Sequence, residues 1–507
     1  MFSKVLIINR GLIQANCVRA VQELGAKAIT IYDPEDQNSA GVRNADEAYE
    51  MEMTSISPRA YIDINQIVNL AKSVKADAVL SGYGFLSQNA KFTQLLRKNG
   101  IVTIAPTLEG ISNLSDKPQI KKQAMKHGFH ILPGSGSCSN FKEVKRSAAS
   151  IGYPLLIKAA NGYGGKGLRL VNRPQELEPS YEFVIAQCKK FLMNSEEVYL
   201  EKYLPDVHQI EFPVLRDKEG NVLVFPEQWC SVQRRFQKQL VETPSRVINN
   251  EKRNKISEVI KKLVAKLDIC GFASVVFLVD ESHTYFLKIN GYLQPFYTGT
   301  SLLTGVDLLK EQIRIFSGET LKINANQLNK HGHVISVSIC AEDPDNNFSP
   351  NPGKIDRLYL PFGQGINVQT NVFSGDTVAT FYDPMIAKLI VRGANRREAV
   401  NKMRVALDDF FIDGIKTNIP LLRSILKSSK FRLRQMNIAY ISKKENRMQL
   451  IEEMKTTKEQ EIASVVAALS LHYDSNNQQI LEAARENSRV SIWNTAARWL
   501  NRKRQEY

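Results

Sequence analysis

The chain has 507 residues, of which 43% are hydrophobic and 23% are charged, and its formal net charge is +15. A chain of this length can bury several hydrophobic cores, so we expect two to four domains. No apolar run is long enough to cross a bilayer, and the N-terminus lacks the regions of a signal peptide. These features argue against a transmembrane segment and predict a cytoplasmic protein.

The six cysteines and the positive charge narrow the function classes further. No two cysteines form a C-x-x-C pair, which predicts reduced, mostly buried thiols rather than a zinc site. The basic residues are spread along the chain and accompany no recognised nucleic-acid-binding motif. We therefore expect a diffuse basic surface or contact with an acidic partner subunit, and no binding to nucleic acid.

The first segment, residues 1–113, alternates short apolar strands with helical patterns. The apolar runs are bounded by glycine, proline or asparagine and comprise Val5–Ile8, Ala28–Tyr32, Ala78–Leu80 and Val102–Ala105. Helical spacing appears between them, for example over Ile64–Val74. Alternation of this kind predicts a parallel α/β domain.

Residues 114–330 have the pattern of a nucleotide-binding domain with a small lid over about residues 131–204. A strand over Pro154–Ala159 leads into a glycine-rich loop, Gly162-Tyr163-Gly164-Gly165-Lys166-Gly167. Glycine amides can approach phosphate oxygens closely, and lysine offsets their charge. The loop is therefore typical of a segment that covers phosphates.

Two further segments follow. Residues 331–446 are predicted to form a third α/β domain, with strands His333–Cys340 and Met385–Arg392 and the helix Arg397–Phe410. Residues 447–507 are predicted to form a helical tail whose first part is amphipathic. The tail ends with tryptophan and leucine beside arginines, which favours docking onto a partner protein or packing against the chain's own domains.

Short segments spread in order over roughly the first 445 residues carry a family resemblance. They are Asn9-Arg10-Gly11, Gly82-Tyr83-Gly84-Phe85-Leu86-Ser87, Asp116-Lys117, Gly152-Tyr153-Pro154, Tyr199-Leu200-Glu201-Lys202-Tyr203-Leu204, Cys230-Ser231-Val232-Gln233-Arg234-Arg235, Gly305-Val306-Asp307-Leu308, Ala341-Glu342-Asp343-Pro344, Tyr382-Asp383-Pro384-Met385-Ile386 and Asp413-Gly414-Ile415-Lys416-Thr417-Asn418. In this set the chain resembles the biotin carboxylase family.

The resemblance implies a biotin carboxylase-like fold of mixed α/β and α+β character. Such a fold has an N-terminal parallel α/β domain, an ATP-grasp domain with a mobile lid, and a C-terminal domain. The resemblance also implies the use of ATP and Mg²⁺ to activate bicarbonate, followed by carboxylation of biotin carried on a partner protein. Members of the family serve acetyl-CoA, propionyl-CoA and related acyl-CoA carboxylases.

The family's nucleotide-binding positions are largely filled in this chain. The positions that bind phosphate correspond to Lys117, Lys158, Gly164, Gly165 and Lys166. The hinge positions that hold adenine correspond to Glu201, Lys202 and Leu204. Because these positions are filled, we expect ATP or ADP to bind. Tyr163 interrupts the run of glycines and restricts the loop.

The family's metal positions are largely lost. Where the family carries Glu, Glu and Asn, this chain has Val276, Lys288 and Asn290. Mg²⁺ prefers hard oxygen ligands, which valine lacks, and an ammonium group repels the ion. The sequence thus predicts no metal site. Lys288 either takes over part of the missing cation's position on the phosphates, which permits binding without Mg²⁺, or points to solvent or pairs with an acid.

The positions that handle bicarbonate and biotin are also replaced. The family's bicarbonate arginine is Tyr292 here, its general base is Phe296, and the arginine that stabilises the biotin enolate is Ser338. Two ATP-site histidines become Gln209 and Phe236, whereas Lys238 and Gln294 match the family. Because phenylalanine cannot accept a proton, no catalytic set is intact. The pattern also argues against biotin binding.

Three functions remain open from the sequence. The first is a catalytically inactive subunit of an acetyl- or propionyl-CoA type carboxylase, with a structural or regulatory function. Its partners would be an active biotin carboxylase paralogue, a biotin carrier protein and a carboxyltransferase. The second is an active biotin carboxylase with an altered site. The third is an ATP-sensing regulatory module.

Overall fold

The computed structural model describes residues 1–52, 61–84, 86–115, 117–160, 167–190, 197–379 and 383–452. The glycine-rich loop from residue 161 to 166 and the tail from residue 453 lie outside these ranges. The predicted phosphate-covering residues Gly164, Gly165 and Lys166, and residues 453–507 of the predicted docking tail, therefore lie outside the described residues.

The N-terminal segment forms a parallel sheet with strand order β3-β2-β1-β4-β5. Its strands are β1 (Lys4–Ile7), β2 (Lys27–Tyr32), β3 (Glu47–Glu50), β4 (Ala78–Leu80) and β5 (Val102–Thr103). Its helices are α1 (Gly11–Glu23), α2 (Ala40–Asn44), α3 (Ile64–Ser73), α4 (Ala90–Lys98) and α5 (Leu108–Ser115). Apolar runs without alternation fit this arrangement, because helices cover both faces of a parallel sheet.

A small lid follows and has a core of its own. Helix α6 (Lys117–Lys126) and strand β6 (His130–Ile131) precede it and pack on the central sheet, where β6 pairs with the strand at Thr284–Asn290. The elements of the lid itself are α7 (Phe141–Ile151), β7 (Leu155–Ala159), β8 (Leu168–Val171), α8 (Leu177–Lys190) and β9 (Val198–Lys202). Strands β8, β7 and β9 form an antiparallel sheet, and its apolar side chains pack against α7 and α8 around Val144 and Val184. The lid therefore has a hydrophobic core separate from that of the central sheet.

The central part of the chain is a large, mostly antiparallel sheet. Its elements are β10 (His208–Arg216), β11 (Val222–Val224), β12 (Gln228–Arg234), β13 (Gln237–Thr243), α9 (Asn250–Lys266), β14 (Gly271–Val279), β15 (Thr284–Asn290), α10 (Tyr297–Thr304) and α11 (Leu308–Phe316). The strand order runs β13-β12-β10-β14-β15.

The C-terminal part continues the same sheet through β16 and β23, which extend it from β13. Its elements are β16 (His333–Cys340), β17 (Glu342–Asp343), β18 (Ser349–Pro350), β19 (Gly353–Lys354), β20 (Arg357–Tyr359), β21 (Ile366–Thr370), β22 (Thr377–Val378), β23 (Met385–Gly393), α12 (Arg396–Asp409), β24 (Phe411–Asp413), α13 (Ile419–Lys427) and α14 (Ser429–Arg432). One hydrophobic core spans both parts, from Phe212 to Leu426. The central and C-terminal segments are therefore joined by hydrogen bonds as well as by packing.

The architecture agrees with the fold expected from the resemblance: a parallel α/β domain, a lid and sheet of the ATP-grasp type, and a C-terminal domain. All six cysteines are buried free thiols. None of the helices in the described ranges is long and apolar enough to cross a membrane.

Candidate functional site

Three neighbouring strands place the predicted metal positions in one row across the central sheet. The register sets Glu211 of β10 opposite Val276 of β14, and Val276 opposite Lys288 of β15. Ser274 lies two residues along β14 from Val276 and is paired with Asn290. Because directly opposed residues point to the same face of a sheet, all five side chains lie on one face.

Glu211 is buried, with 2% of its surface exposed, and its carboxylate accepts bonds from three neighbours. Lys238 Nζ lies 2.5 Å from Oε2, Ser274 Oγ lies 3.1 Å from Oε2, and Gln209 Nε2 lies 3.0 Å from Oε1. Burial raises the pKa of Glu211, but the charge and hydrogen bond of Lys238 outweigh it and the pKa is lowered. Glu211 is therefore a carboxylate that already has its counter-ion.

Lys288 lies at the end of this row and faces the cleft. Within the described ranges it forms no ion pair with a carboxylate. Its pKa is lowered by desolvation and by the positive charges of Lys158 and Lys238, while Glu211 opposes the change. The side chain of Lys288 is nonetheless exposed to solvent.

A second buried carboxylate lies where the lid meets the cleft. Glu201 on β9 is 2% exposed, and its two oxygens bind the amines of Lys121 from α6 and Lys158 from β7. Burial raises the pKa of Glu201, but the charges of Lys158 and Lys121 outweigh that effect and the pKa is lowered. This cluster fixes Lys158 at the end of the strand that leads into the glycine-rich loop.

The other predicted hinge residues have contacts within the lid and sheet. Lys202 donates through Nζ to the carbonyl oxygens of Tyr153 at 2.7 Å and Gly152 at 3.3 Å. Leu204 packs against an apolar cluster that contains Leu132. Lys117 begins α6, and its side chain lies outside the described residues.

Phe296 occupies the position predicted to have lost the general base, and its ring lies near two lysines. Phe296 is 3% exposed, and its ring centre lies 6.0 Å from Lys238 Nζ and 5.2 Å from Lys388 Nζ. Lys388 is itself 2% exposed and is paired with Ser338 in the β16–β23 register. Burial lowers the pKa of Lys388 to about 7, with Asp383 opposing and Lys238 adding to the shift.

The remaining predicted positions surround this surface. Tyr292 is the residue predicted to replace the family's bicarbonate arginine, and burial raises the pKa of its hydroxyl. Gln294 is buried and donates through Nε2 to the carbonyl oxygen of Tyr292 at 3.4 Å. Phe236 lies in the turn between β12 and β13 with a φ of 64° and is 41% exposed. Its side chain therefore points away from the buried part of the cleft.

The donor set does not fit Mg²⁺. The described residues contain no group of three or more His, Cys, Asp or Glu side chains that could hold a metal ion. In the row itself Val276 has no donor atom, Lys288 repels a cation, and Asn290 supplies one amide oxygen. The nearby carboxylate of Glu211 is taken by Lys238. No step through a bound metal can be derived from these side chains.

The same side chains do fit an anionic ligand. Four lysines meet two glutamates in the cleft, a surplus of two positive charges, and these residues are Lys121, Lys158, Lys238, Lys288, Glu201 and Glu211. Lys288 in particular has no acidic partner among the described residues. A polyphosphate would offset this surplus, since ammonium groups bind phosphate oxygens strongly.

Three residues of the site were not singled out by sequence reasoning. Lys121 lies one turn after Lys117 on α6, and residues four apart share a helix face, so this signal was available. Lys388 lies just beyond the Tyr382–Ile386 segment that matches the family. Glu211 gave no comparable signal, because its importance depends on which strands are neighbours in the sheet.

A central antiparallel sheet, a lid with its own core and a lysine-lined cleft between them define a protein of the ATP-grasp class. The chain matches the biotin carboxylase N-terminal domain over residues 1–111. It matches the carbamoyl-phosphate synthase L chain ATP-binding domain over residues 116–324 and the biotin carboxylase C-terminal domain over residues 336–443.

Curated relatives match along most of their length. The small subunit of 2-oxoglutarate carboxylase from Hydrogenobacter thermophilus is 38% identical over 444 residues, which cover 87% of this chain and 93% of that protein. The biotin carboxylase of Haemophilus influenzae is 38% identical over 446 residues, which cover 88% of this chain and 99% of that protein. The chain belongs to the biotin carboxylase family.

Solved structures of biotin carboxylases have the same fold as this chain. The biotin carboxylase domain dimer of Hydrogenobacter thermophilus 2-oxoglutarate carboxylase, in complex with MgADP, ADP and bicarbonate, superposes with a TM-score of 0.83 at 37% identity. The match covers 87% of this chain and 97% of that one. A Campylobacter jejuni biotin carboxylase in complex with β,γ-ATP gives a TM-score of 0.82 at 32% identity and covers 87% and 99% of the two chains. The family and fold are thus confirmed, and the loss of chemistry stays a prediction.

Proposed function

We propose that this chain is a biotin carboxylase-like subunit of a biotin-dependent acyl-CoA carboxylase that has lost the carboxylation chemistry and has a structural or regulatory function. The observation that carries the proposal is the row Glu211, Val276 and Lys288. Its middle position has no ligand atom, its outer position is a cation, and its one carboxylate is bound to Lys238. Phe296 adds a second loss, because it presents a ring to Lys238 and Lys388 where a base is needed.

The proposal includes the wider organisation of the chain. We propose an N-terminal domain over residues 1–113, an ATP-grasp domain over 114–330 with the lid at about 131–204, a C-terminal domain over 331–446 and a docking tail over 447–507. The partners would be an active biotin carboxylase, a biotin carrier protein and a carboxyltransferase, met in the cytoplasm. Relatives named as carboxylase subunits support this assignment.

The test compares the purified full-length chain with a variant in which the missing groups are returned. We expect no biotin-dependent, bicarbonate-dependent ATP hydrolysis above background from the natural chain with Mg²⁺ and free biotin. The variant combines Val276→Glu, Lys288→Glu, Tyr292→Arg, Phe296→Glu and Ser338→Arg. We expect measurable turnover from it, because each lost transition-state contact typically costs roughly 10²–10³ in rate.

A control separates loss of the metal site from loss of the base. Val276→Glu with Lys288→Glu alone should restore Mg²⁺-dependent nucleotide binding without biotin carboxylation. Carboxylation of biotin by the natural chain would refute the proposal and establish the alternative, an active carboxylase with an altered site, which the retained Lys238 and Gln294 favour.

The positive surplus of the cleft supports a second candidate, a module that senses ATP or ADP without hydrolysing it. Lys288 would then occupy part of the position of the absent cation, beside Lys158. Calorimetry of ADP binding in EDTA tests this function, and binding that appears only after Mg²⁺ is added would contradict it. A change in affinity for a biotin carrier protein on ADP binding would show that the module regulates the complex.

A further inference from the structure

A basic cavity of about 690 Å³ lies outside the nucleotide cleft, between helix α12, the end of α13, α14 and the loop after β13. Seven of its lining side chains are basic: Arg396, whose charge is paired, and six others, which are Arg246, Arg397, Arg404, Lys427, Arg432 and Arg434. Val400 and Leu426 add a small apolar surface. The family comparison assigns no ligand to these residues.

The local structure brings these charges to one place. Arg397 and Arg404 are seven residues apart on α12, which is two helical turns, so they project from the same face. Arg434 adopts a left-handed backbone conformation with a φ of 59°, directly after the short helix α14. Its guanidinium donates to the carbonyl oxygen of Arg246 at 3.4 Å, which links the segment after α14 to the loop after β13.

The charges of this cavity are not compensated within the described part of the chain. No carboxylate is among the lining residues, and none of the six side chains forms an ion pair with a described Asp or Glu. Arg396, a seventh basic residue of the lining, shows the contrast. It binds the buried carboxylate of Glu242 at 2.7 and 2.8 Å, so its charge is already paired. A cluster of unpaired guanidinium groups repels itself and is stabilised by an anion.

The shape of the site favours a small ligand over a protein segment. A cavity of this volume lies in the range of small-molecule sites, whereas an acidic helix would have to lie across its mouth. Arginine outnumbers lysine in the lining, and planar guanidinium groups bind phosphate in a bidentate manner. We propose that this cavity is a second anion-binding site and that it takes a small molecule carrying several phosphate groups.

The test uses the full chain and inorganic tripolyphosphate as the probe, with binding measured by calorimetry. Because the nucleotide cleft also fits a polyphosphate, we expect two saturable sites, and the affinity of the cavity site should fall as salt is raised. The double variant Arg397→Glu with Arg404→Glu should weaken this binding by about 30-fold or more, because it replaces two charge-assisted contacts with repulsion. The matched control is Lys255→Glu with Lys262→Glu, two lysines seven residues apart on α9, and its affinity should change less than about twofold.

A further variant separates the basic cavity from the nucleotide cleft. Lys158→Gln removes a cleft lysine and should leave the affinity of the cavity for tripolyphosphate unchanged. Loss of all binding in Lys158→Gln with full binding in the α12 variant would overturn the proposal, as would absence of binding to the natural chain. Tighter binding of a poly-glutamate peptide than of tripolyphosphate would also overturn it, because it would assign the surface to an acidic protein.

Discussion

The amine of Lys388 lies 5.2 Å from the centre of the Phe296 ring, at the position where the resemblance predicts the family's general base. Both side chains are almost fully buried. A ring face attracts a cation more weakly than a carboxylate does. The replacement at position 296 therefore leaves a buried lysine with a neighbour that cannot neutralise it.

Replacing Phe296 with glutamate should raise the pKa of Lys388 above its value of about 7. An opposite charge at this distance typically shifts a pKa by about 1–3 units toward the charged form. The measurement is the pH dependence of the lysine Cε chemical shift in the isotopically labelled chain. Phe296→Gln, which has similar polarity but no charge, should leave the pKa within about half a unit of its starting value. An equal shift in both variants would show that polarity, not charge, sets the titration.

Replacing Lys388 with methionine should stabilise the fold at neutral pH. Because the folded-state pKa of about 7 lies below the ordinary value of 10.5, the unfolded chain binds more protons at this site between those values. The stability contributed by this site therefore rises with pH through that window. We expect Lys388→Met to increase the free energy of unfolding at pH 7 by about 1–3 kcal/mol, and the gain to shrink toward pH 10.

Urea unfolding at several pH values measures this effect. The control is Lys262→Met, which alters an exposed lysine of α9 and should change stability by less than about 0.5 kcal/mol. A gain that stays constant from pH 7 to pH 10 would contradict the assignment, since it would not depend on the charge of the amine.

Replacing Lys288 with alanine should weaken the binding of ADP in EDTA. The amine has no carboxylate partner among the described residues and lies near Lys158, so it is available to a phosphate group. A charge-assisted hydrogen bond contributes roughly 1.5–3 kcal/mol, which corresponds to about a tenfold or greater loss of affinity. The control for overall charge is Lys255→Ala, which removes an exposed lysine of helix α9. Unchanged ADP affinity in Lys288→Ala would mean that this amine faces solvent only.

Replacing Glu201 with glutamine should destabilise the lid. The change leaves the amines of Lys121 and Lys158 without their buried counter-ion, which we expect to cost about 2–4 kcal/mol in the free energy of unfolding. Glu251→Gln is the matched control, because Glu251 pairs with Lys255 on the surface and such pairs contribute about 0–1 kcal/mol.

The effect of Glu201→Gln should depend on pH in a defined direction. The folded-state pKa of Glu201 is lowered, so its stabilising contribution is present above the ordinary value of 4.5 and is lost as the pH falls through the folded-state pKa. The difference between Glu201→Gln and the natural chain should therefore decrease in acid. A difference that grows as the pH falls would contradict the assigned ion pairs.

Much of the fold follows from local sequence patterns. Apolar runs such as Ala78–Leu80 coincide with strands, and the predicted strand His333–Cys340 has the observed limits. The pairing of Val276 with Lys288 could also be predicted, since the two residues lie on the two adjacent strands of one hairpin. The contributions of Glu211 and Lys388 were not, because they depend on pairings between strands distant in sequence, and local periodicity does not encode those neighbours.

The hydrogen bonds between β13 and β16 have a practical consequence for anyone who shortens this protein. Ending expression near residue 330 would remove β16 and leave unsatisfied amides and carbonyls along residues 240–243 of β13. Such an open edge is a template for intermolecular strand addition. A truncated product is thus expected to precipitate or exchange strands, whatever the condition of its nucleotide cleft.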